Sequence, residues 1–235
     1  MLLHLVVQPD TSLSFLYTVI KTLLLFIVSK LTSATSASIP VVESTHDRGV
    51  TLNSQLTLSA HITALCWASY CQLQQLYPVV QSMTAEAART VAASFISSGL
   101  DYCNSLFHSM PDTLLCKLQS VQNATTRLIT RHCDHITPVL PELHLLPIRE
   151  SVKFKVACLV RQSLSGHVPV YLADDCCLFS HRTLHFVQSA DVLTYFVPRK
   201  YSNYIDRTFA AAGPRLWNSL PVHLRIPDIT YKLFR

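Results

Sequence analysis

Apolar residues recur through the middle of the chain at spacings of three and four, the period of a single helical face. Leu58, Ile62, Leu65, Ser69, Leu73 and Leu76 keep this spacing, which predicts a helix over 56–76 ended by Pro78. Thr84 suits the N-cap of a second helix, whose apolar face is Ala88, Val91, Ala92, Phe95 and Ile96. Ser109, Pro111 and Asp112 mark a third start, and Leu114, Leu118, Val121, Thr125 and Leu128 form one core-facing stripe behind it. Val152, Val156, Leu159, Val160 and Leu164 make a fourth helical face, closed by Gly166. β-branched and aromatic residues then gather at Val192, Thr194, Tyr195, Phe196 and Val197, so a short β-hairpin is expected near 192–209. The chain therefore reads as mainly α, a helical bundle-like body with one short hairpin.

The N-terminus follows a different pattern. Residues 13–28, LSFLYTVIKTLLLFIV, are apolar apart from Lys21 and a few small polar residues, and TSATSAS follows at 32–38. Such a run suits a signal-peptide core or a membrane anchor. It is shorter than the ~20 residues a bilayer span needs, it contains Lys21, and the leading MLLHLVVQPD has no basic region. A third reading is a mere upstream extension of the reading frame. Residues 1–47 are accordingly set apart as an apolar extension outside the fold, with 48–235 as the helical module.

Composition narrows the chemistry. Hydrophobic residues make up 49% of the 235 and charged residues 14%, which favours a packed chain over a disordered one. Only Gly49, Gly99, Gly166 and Gly213 are present, too few and too scattered for a phosphate-cradling glycine loop. The eight cysteines include no C-x-x-C pair, and the compact His132-Cys133-Asp134-His135 lacks the second half of a zinc site. Reduced, buried thiols of an intracellular protein, in nucleus or cytoplasm, are the expectation. Neither a metal nor another cofactor is expected.

The net charge of +5 is unevenly spread: Arg199 to Arg235 holds seven basic residues against Asp206 and Asp228. A basic tail is the electrostatic footprint of nucleic acid or of an anionic surface, and otherwise a solvated face. Candidate phosphate contacts are Lys117, Arg127 and Arg131 on the third helix, and Arg149, Lys153 and Arg161 on the fourth. The last three recur at multiples of four, on the side away from Val152, Val156 and Leu159. Arg199, Lys200, Arg207 and Arg215 follow in the tail, interleaved with Tyr195, Tyr201, Tyr204 and Trp217. Near the end stands FAAAGPRLWNSLP, Phe209 to Pro221. Gly213-Pro214 is expected to force a turn there, and Trp217 to be buried in preference to serving as a base-stacking platform beside Arg215.

The order of several segments resembles a known family. LDYCNSLF (100–107), LQSVQNATTRLIT (118–130), HITPVLPELHLLPIRESVKFKVACLV (135–160), PVYLADD (169–175), QSAD (188–191) and GPRLWNSLP follow one another at short spacing. This succession is similar to the region after the polymerase palm in reverse transcriptases of non-LTR, LINE-type retrotransposons, over about four fifths of the chain. It departs from that pattern at Asn53, Gly99, Leu145 and Gln188, where the family usually has aspartate, arginine, tryptophan and arginine. The resemblance implies a module that helps to hold template and primer, hence non-specific contact with an RNA or DNA backbone. Asp174-Asp175 lack the preceding aromatic-and-spacer arrangement of a palm dyad, because Leu172 stands in the aromatic position. The palm carboxylates are thus missing, so the expectation is no catalysis and no small-molecule substrate. The rival classes are a membrane-associated or secreted protein led by 13–28, and a protein-interaction module.

Overall fold

The computed structural model describes residues 43–92, 94, 98–130, 136, 139–143, 145–166, 168–176, 193–197 and 208–226. They fall into two compact units, one ending at Ser151 and the other beginning at Val152. The chain is mainly α, and among the described residues there is one two-stranded antiparallel sheet.

That sheet opens the first unit. Strand β1, Ser44–Asp47, pairs with β2, Val50–Asn53, in the register Asp47 opposite Val50 and Ser44 opposite Asn53. Arg48 and Gly49 form the two-residue loop, both left-handed, with φ of 44° and 84°. Two successive positive φ values define the tight turn that matches strand twist, and glycine takes the second at no steric cost. Val50 and Leu52 are buried and Thr51 and Asn53 half-buried, the alternation of a one-sided strand. The expected boundary between residues 47 and 48 therefore falls inside this hairpin. Of the 192–209 segment, residues 193–197 have no regular structure apart from Tyr195 in a lone bridge, and 192 and 198–207 lie outside the described residues.

Helix α1, Ser59–Gln81, buries Ile62, Cys66, Ser69, Leu73 and Val80. It continues three residues beyond Pro78. Proline lacks the N–H that would donate to the Gln74 carbonyl, and both residues are exposed, where an unpaired carbonyl is open to solvent and costs least. Helix α2, Ala85–Ala92, starts as expected: the Ala87 N–H donates to Thr84 Oγ1 at 3.4 Å and the Ala88 N–H to Thr84 O at 2.9 Å. Ala88 is buried and Val91 half-buried, whereas the Ala92, Phe95 and Ile96 side chains lie outside the description. Helix α3 is the single turn Ser98–Asp101. Helix α4, Asp112–Thr130, packs on α1 and α2. Its buried face is Leu115, Leu118, Val121, Gln122, Thr125, Thr126 and Ile129, which shares Leu118, Val121 and Thr125 with the expected stripe; Leu114 and Leu128 flank it half-buried. The two threonines lie flat in the core by returning their hydroxyls to Val121 O and Gln122 O at 2.9 and 3.0 Å.

Helix α5 is the turn Val139–Glu142, and α6, Ile148–Leu164, starts in the first unit and lies mainly in the second. Gly166, with φ of 68°, closes α6 in the left-handed conformation expected of a C-terminal stop. Helix α7 is Val170–Asp174 and α8 is Phe209–Ser219.

Gly213 and Pro214 lie inside α8 and make no turn. A residue before proline usually leaves the helical region because its Cβ meets the proline Cδ, and glycine has no Cβ. The same absence lets α8 approach α6: a Cβ at Gly213 would stand 2.9 Å from Val160 Cγ2 and 3.3 Å from the Phe209 ring. Phe209, Ala211, Ala212, Pro214 and Trp217 complete the buried side of α8.

Candidate nucleic-acid interface

The polar side chains of the most characteristic segments act on the fold itself. In LDYCNSLF, Asn104 Nδ2 donates to Ser151 Oγ at 3.1 Å, and Ser151 Oγ donates to Asp101 Oδ1 at 3.3 Å. This links the stretch after α3 to the start of α6. In LQSVQNATTRLIT, Gln119 Oε1 accepts the Ile148 N–H at 2.9 Å, which satisfies a helix-start donor of α6. Gln119 Nε2 donates to Gln122 Oε1 and Asn123 Oδ1, and Gln122 Nε2 donates to Leu146 O at 2.9 Å. Asn53 accepts the Thr57 N–H and donates to Thr57 Oγ1, both at 2.8 Å.

The tryptophan of GPRLWNSLP has no exposed surface. Its Nε1–H donates to Leu193 O at 2.9 Å, and the Tyr195 ring meets it edge-on with centroids 6.0 Å apart. Asn218 holds the same extended segment from both sides, accepting the Tyr195 N–H at 3.0 Å and donating to the Tyr195 carbonyl at 2.9 Å. Burial, followed by the neighbouring Cys176, pushes the Tyr195 phenol far above its usual range. Trp217 is a core residue, and no base could stack on it in this fold.

The candidate cations separate into distinct groups. Lys117 and Arg127 are exposed on α4. Lys117 lies close enough to Cys66 to oppose the upward shift that burial imposes on that thiol. Arg149 is exposed and ion-paired with Asp112. Lys153 is exposed and Arg215 half-buried. Arg161 departs from the expected basic face: it is 5% exposed and its Nη1–H donates to Ile226 O at 3.4 Å. The cause is that α6 is buried on every side from Val156 to Arg161, so no outward face remains there. Burial also lowers the pKa of that guanidinium, which leaves Arg161 as a fold contact and removes it from any phosphate-binding set. Arg131, Arg199, Lys200 and Arg207 lie outside the described residues.

Asp174 and Asp175 close the short helix α7, and Leu172 beside them is fully buried. Burial, and then Asp174, raises the Asp175 carboxyl pKa. Among the described residues, no three His, Cys, Asp or Glu side chains gather as a metal site, and His132 to His135 lie outside them. Of the described cysteines, Cys66, Cys103 and Cys158 are buried, Cys71 and Cys176 half-buried and Cys116 exposed. No described helix is long and apolar enough to cross a membrane, and residues 13–28 lie outside the description.

The two units differ in charge more than the sequence ends suggest. Residues 43–151 carry six Lys and Arg against eight Asp and Glu, a net −2. Residues 152–235 carry eleven against five, a net +6. One surface feature has no counterpart among the expected site residues, namely the exposed aromatics Trp67, Tyr70 and Tyr77 of α1. Their signal in the sequence is a complete lack of Asp, Glu, Lys and Arg between Arg48 and Glu86. Comparison of the chain with protein-family models, with curated proteins and with solved structures finds no match.

Proposed function

We propose that this chain is a non-catalytic module that binds RNA or DNA through the phosphate backbone, with residues 152–235 as the binding part. In origin it is the post-palm region of a non-LTR reverse transcriptase, the region whose segment order it resembles. The observation that carries the reading is the charge division, +6 on 152–235 against −2 on 43–151. A net positive surface attracts a polyanion regardless of base sequence, by releasing the counterions condensed on it. Lys153 and Arg215 are the described candidates on this part, and burial of Trp217 excludes it as a stacking platform. Recognition is therefore electrostatic and indifferent to sequence. Fluorescence anisotropy of the full chain with labelled RNA, single-stranded DNA and hybrid duplex, at two salt concentrations, is the test. Comparable affinity for all three that weakens steeply with salt is expected. No binding at low salt overturns the proposal.

A further inference from the structure

Arg225 directly follows the single 3-10 turn Val222–Leu224, and its backbone is fixed from both sides. The Arg225 N–H donates to Val222 O at 3.0 Å, and the Arg225 carbonyl accepts the Leu193 N–H at 3.2 Å. Leu193 in turn accepts the indole N–H of Trp217 at 2.9 Å. The next residue, Ile226, accepts an N–H of Arg161 at 3.4 Å. Two buried side chains of residues 152–235, Trp217 and Arg161, thus set where Arg225 stands. Its own side chain is half-buried, and its Nε–H is buried without a hydrogen-bond partner. Among the described residues no hydrogen bond or ion pair engages its guanidinium, so the two Nη groups are the part left facing solvent. The described acids of this part are Asp174 and Asp175, and the Asp175 carboxyl is raised by burial and by Asp174 with no cation opposing it. A half-buried charge without a counter-ion is costly until an anion completes it.

We infer that Arg225 is a phosphate contact, its two Nη groups gripping one phosphate of an RNA or DNA backbone. This rests on the proposal that residues 152–235 form the binding part, and it adds to that surface a residue that helical charge spacing does not reveal. The planar guanidinium offers two parallel N–H donors that match two phosphate oxygens. Burial of Nε holds the head in place, so little freedom is lost when a ligand binds. Val222, His223 and Ile226 beside it are exposed, which leaves the approach open.

Fluorescence anisotropy of the full chain with a labelled single-stranded RNA, read beside nitrogen-15 spectra of the arginine side chains, tests this. Arg225→Ala is expected to weaken binding about tenfold at low salt. The slope of log affinity against log salt should fall by about 0.7, one single-strand phosphate contact. Arg225→Lys should keep the slope, because the charge stays, and recover only part of the affinity, because the fork is lost. A buried Nε–H exchanges slowly with water, so its resonance is observable and is assigned by its loss in Arg225→Lys. In the unmodified chain that resonance should shift when RNA or inorganic phosphate is added, a readout that needs no alanine variant to fold. If the chain binds RNA while both variants keep its affinity and slope, the inference is overturned and the binding proposal stands. If the chain binds no RNA at low salt but inorganic phosphate shifts the resonance, the phosphate contact stands and its nucleic-acid source is overturned. A resonance that neither ligand moves overturns the inference outright.

Discussion

Position 213 is where a single methyl group tests the packing of α8. An alanine there gains helix propensity of about 1 kcal/mol over glycine. Against that, its Cβ would lie 2.9 Å from Val160 Cγ2 and 3.3 Å from the Phe209 ring, with Pro214 following directly. Overpacking of this kind costs about 1–3 kcal/mol, and the pre-proline clash adds to it. Gly213→Ala is therefore expected to lower the urea midpoint, and Val160→Ala in the same chain should show a favourable coupling with it in a double-mutant cycle. A gain in stability would mean that α8 does not sit against Val160. His61 supplies a second residue-level prediction. It is buried, its ring is 6.2 Å from that of Phe107, and burial first and His46 second hold its pKa below the ordinary 6.5. The unfolded chain thus takes up this proton at a higher pH than the folded one. Its contribution to stability is complete above pH 6.5 and is lost as pH falls through the lower, folded value. Asp175 acts in the opposite sense: its raised carboxyl favours the folded state below pH 3.8, and this is lost as pH rises through its folded value. Chemical unfolding from pH 7.5 to 5 should show the His61 loss, and His61→Leu should flatten it.

Helices show through in the sequence wherever one face is apolar and the other is not. Thr84, the Val121–Thr125 core stripe and Gly166 were all legible for that reason. Prolines were misleading. Apolar spacing places the start of α1 within three residues, but Pro78 lies on an exposed flank where its missing N–H costs little, and Gly213 lacks the Cβ whose clash with a following proline usually ends a helix. The hairpin at 44–53 leaves little trace in the sequence, because each strand has only four residues and its turn, Arg48-Gly49, lacks the Asn-Gly signal. The Trp217–Leu193 and Asn218–Tyr195 bonds, each spanning more than twenty residues, leave no local pattern at all. The distinction between the two prolines is testable. Pro78→Ala restores a donor to the Gln74 carbonyl in an exposed turn and should raise the thermal midpoint, a gain of up to about 2 kcal/mol. Pro214 is buried, so Pro214→Ala removes packed atoms while restoring a bond, and its net effect should be smaller or reversed. Equal gains from both would show that burial of Pro214 contributes nothing.

For the molecule as a whole, the division at Ser151 could not be read from periodicity, because α6 carries an unbroken apolar pattern across it. Charge marks the division instead, −2 before it and +6 after it, and this bears on how the candidate cations should be ranked. Sequence spacing placed Lys117 and Arg127 beside Lys153 and Arg215 as equal candidates. Their surroundings are unequal: the first pair belongs to a part with more acids than bases, the second to a part with twice as many bases as acids. Long-range attraction of a polyanion depends on that local sum as much as on any one side chain. Lys153→Ala with Arg215→Ala is therefore expected to weaken binding of a labelled single strand for every sequence alike. The slope of log affinity against log salt should fall by about 1.4, two phosphate contacts at roughly 0.7 each. Lys117→Ala with Arg127→Ala, tested in parallel, should leave both affinity and slope within error. Lys117, Arg127 and Lys153 are exposed and Arg215 half-buried, and thermal melts of the variants separate loss of binding from loss of stability. The reverse ranking, with slope lost only in the α4 pair, would move the interface to residues 43–151 and remove the charge division as its cause.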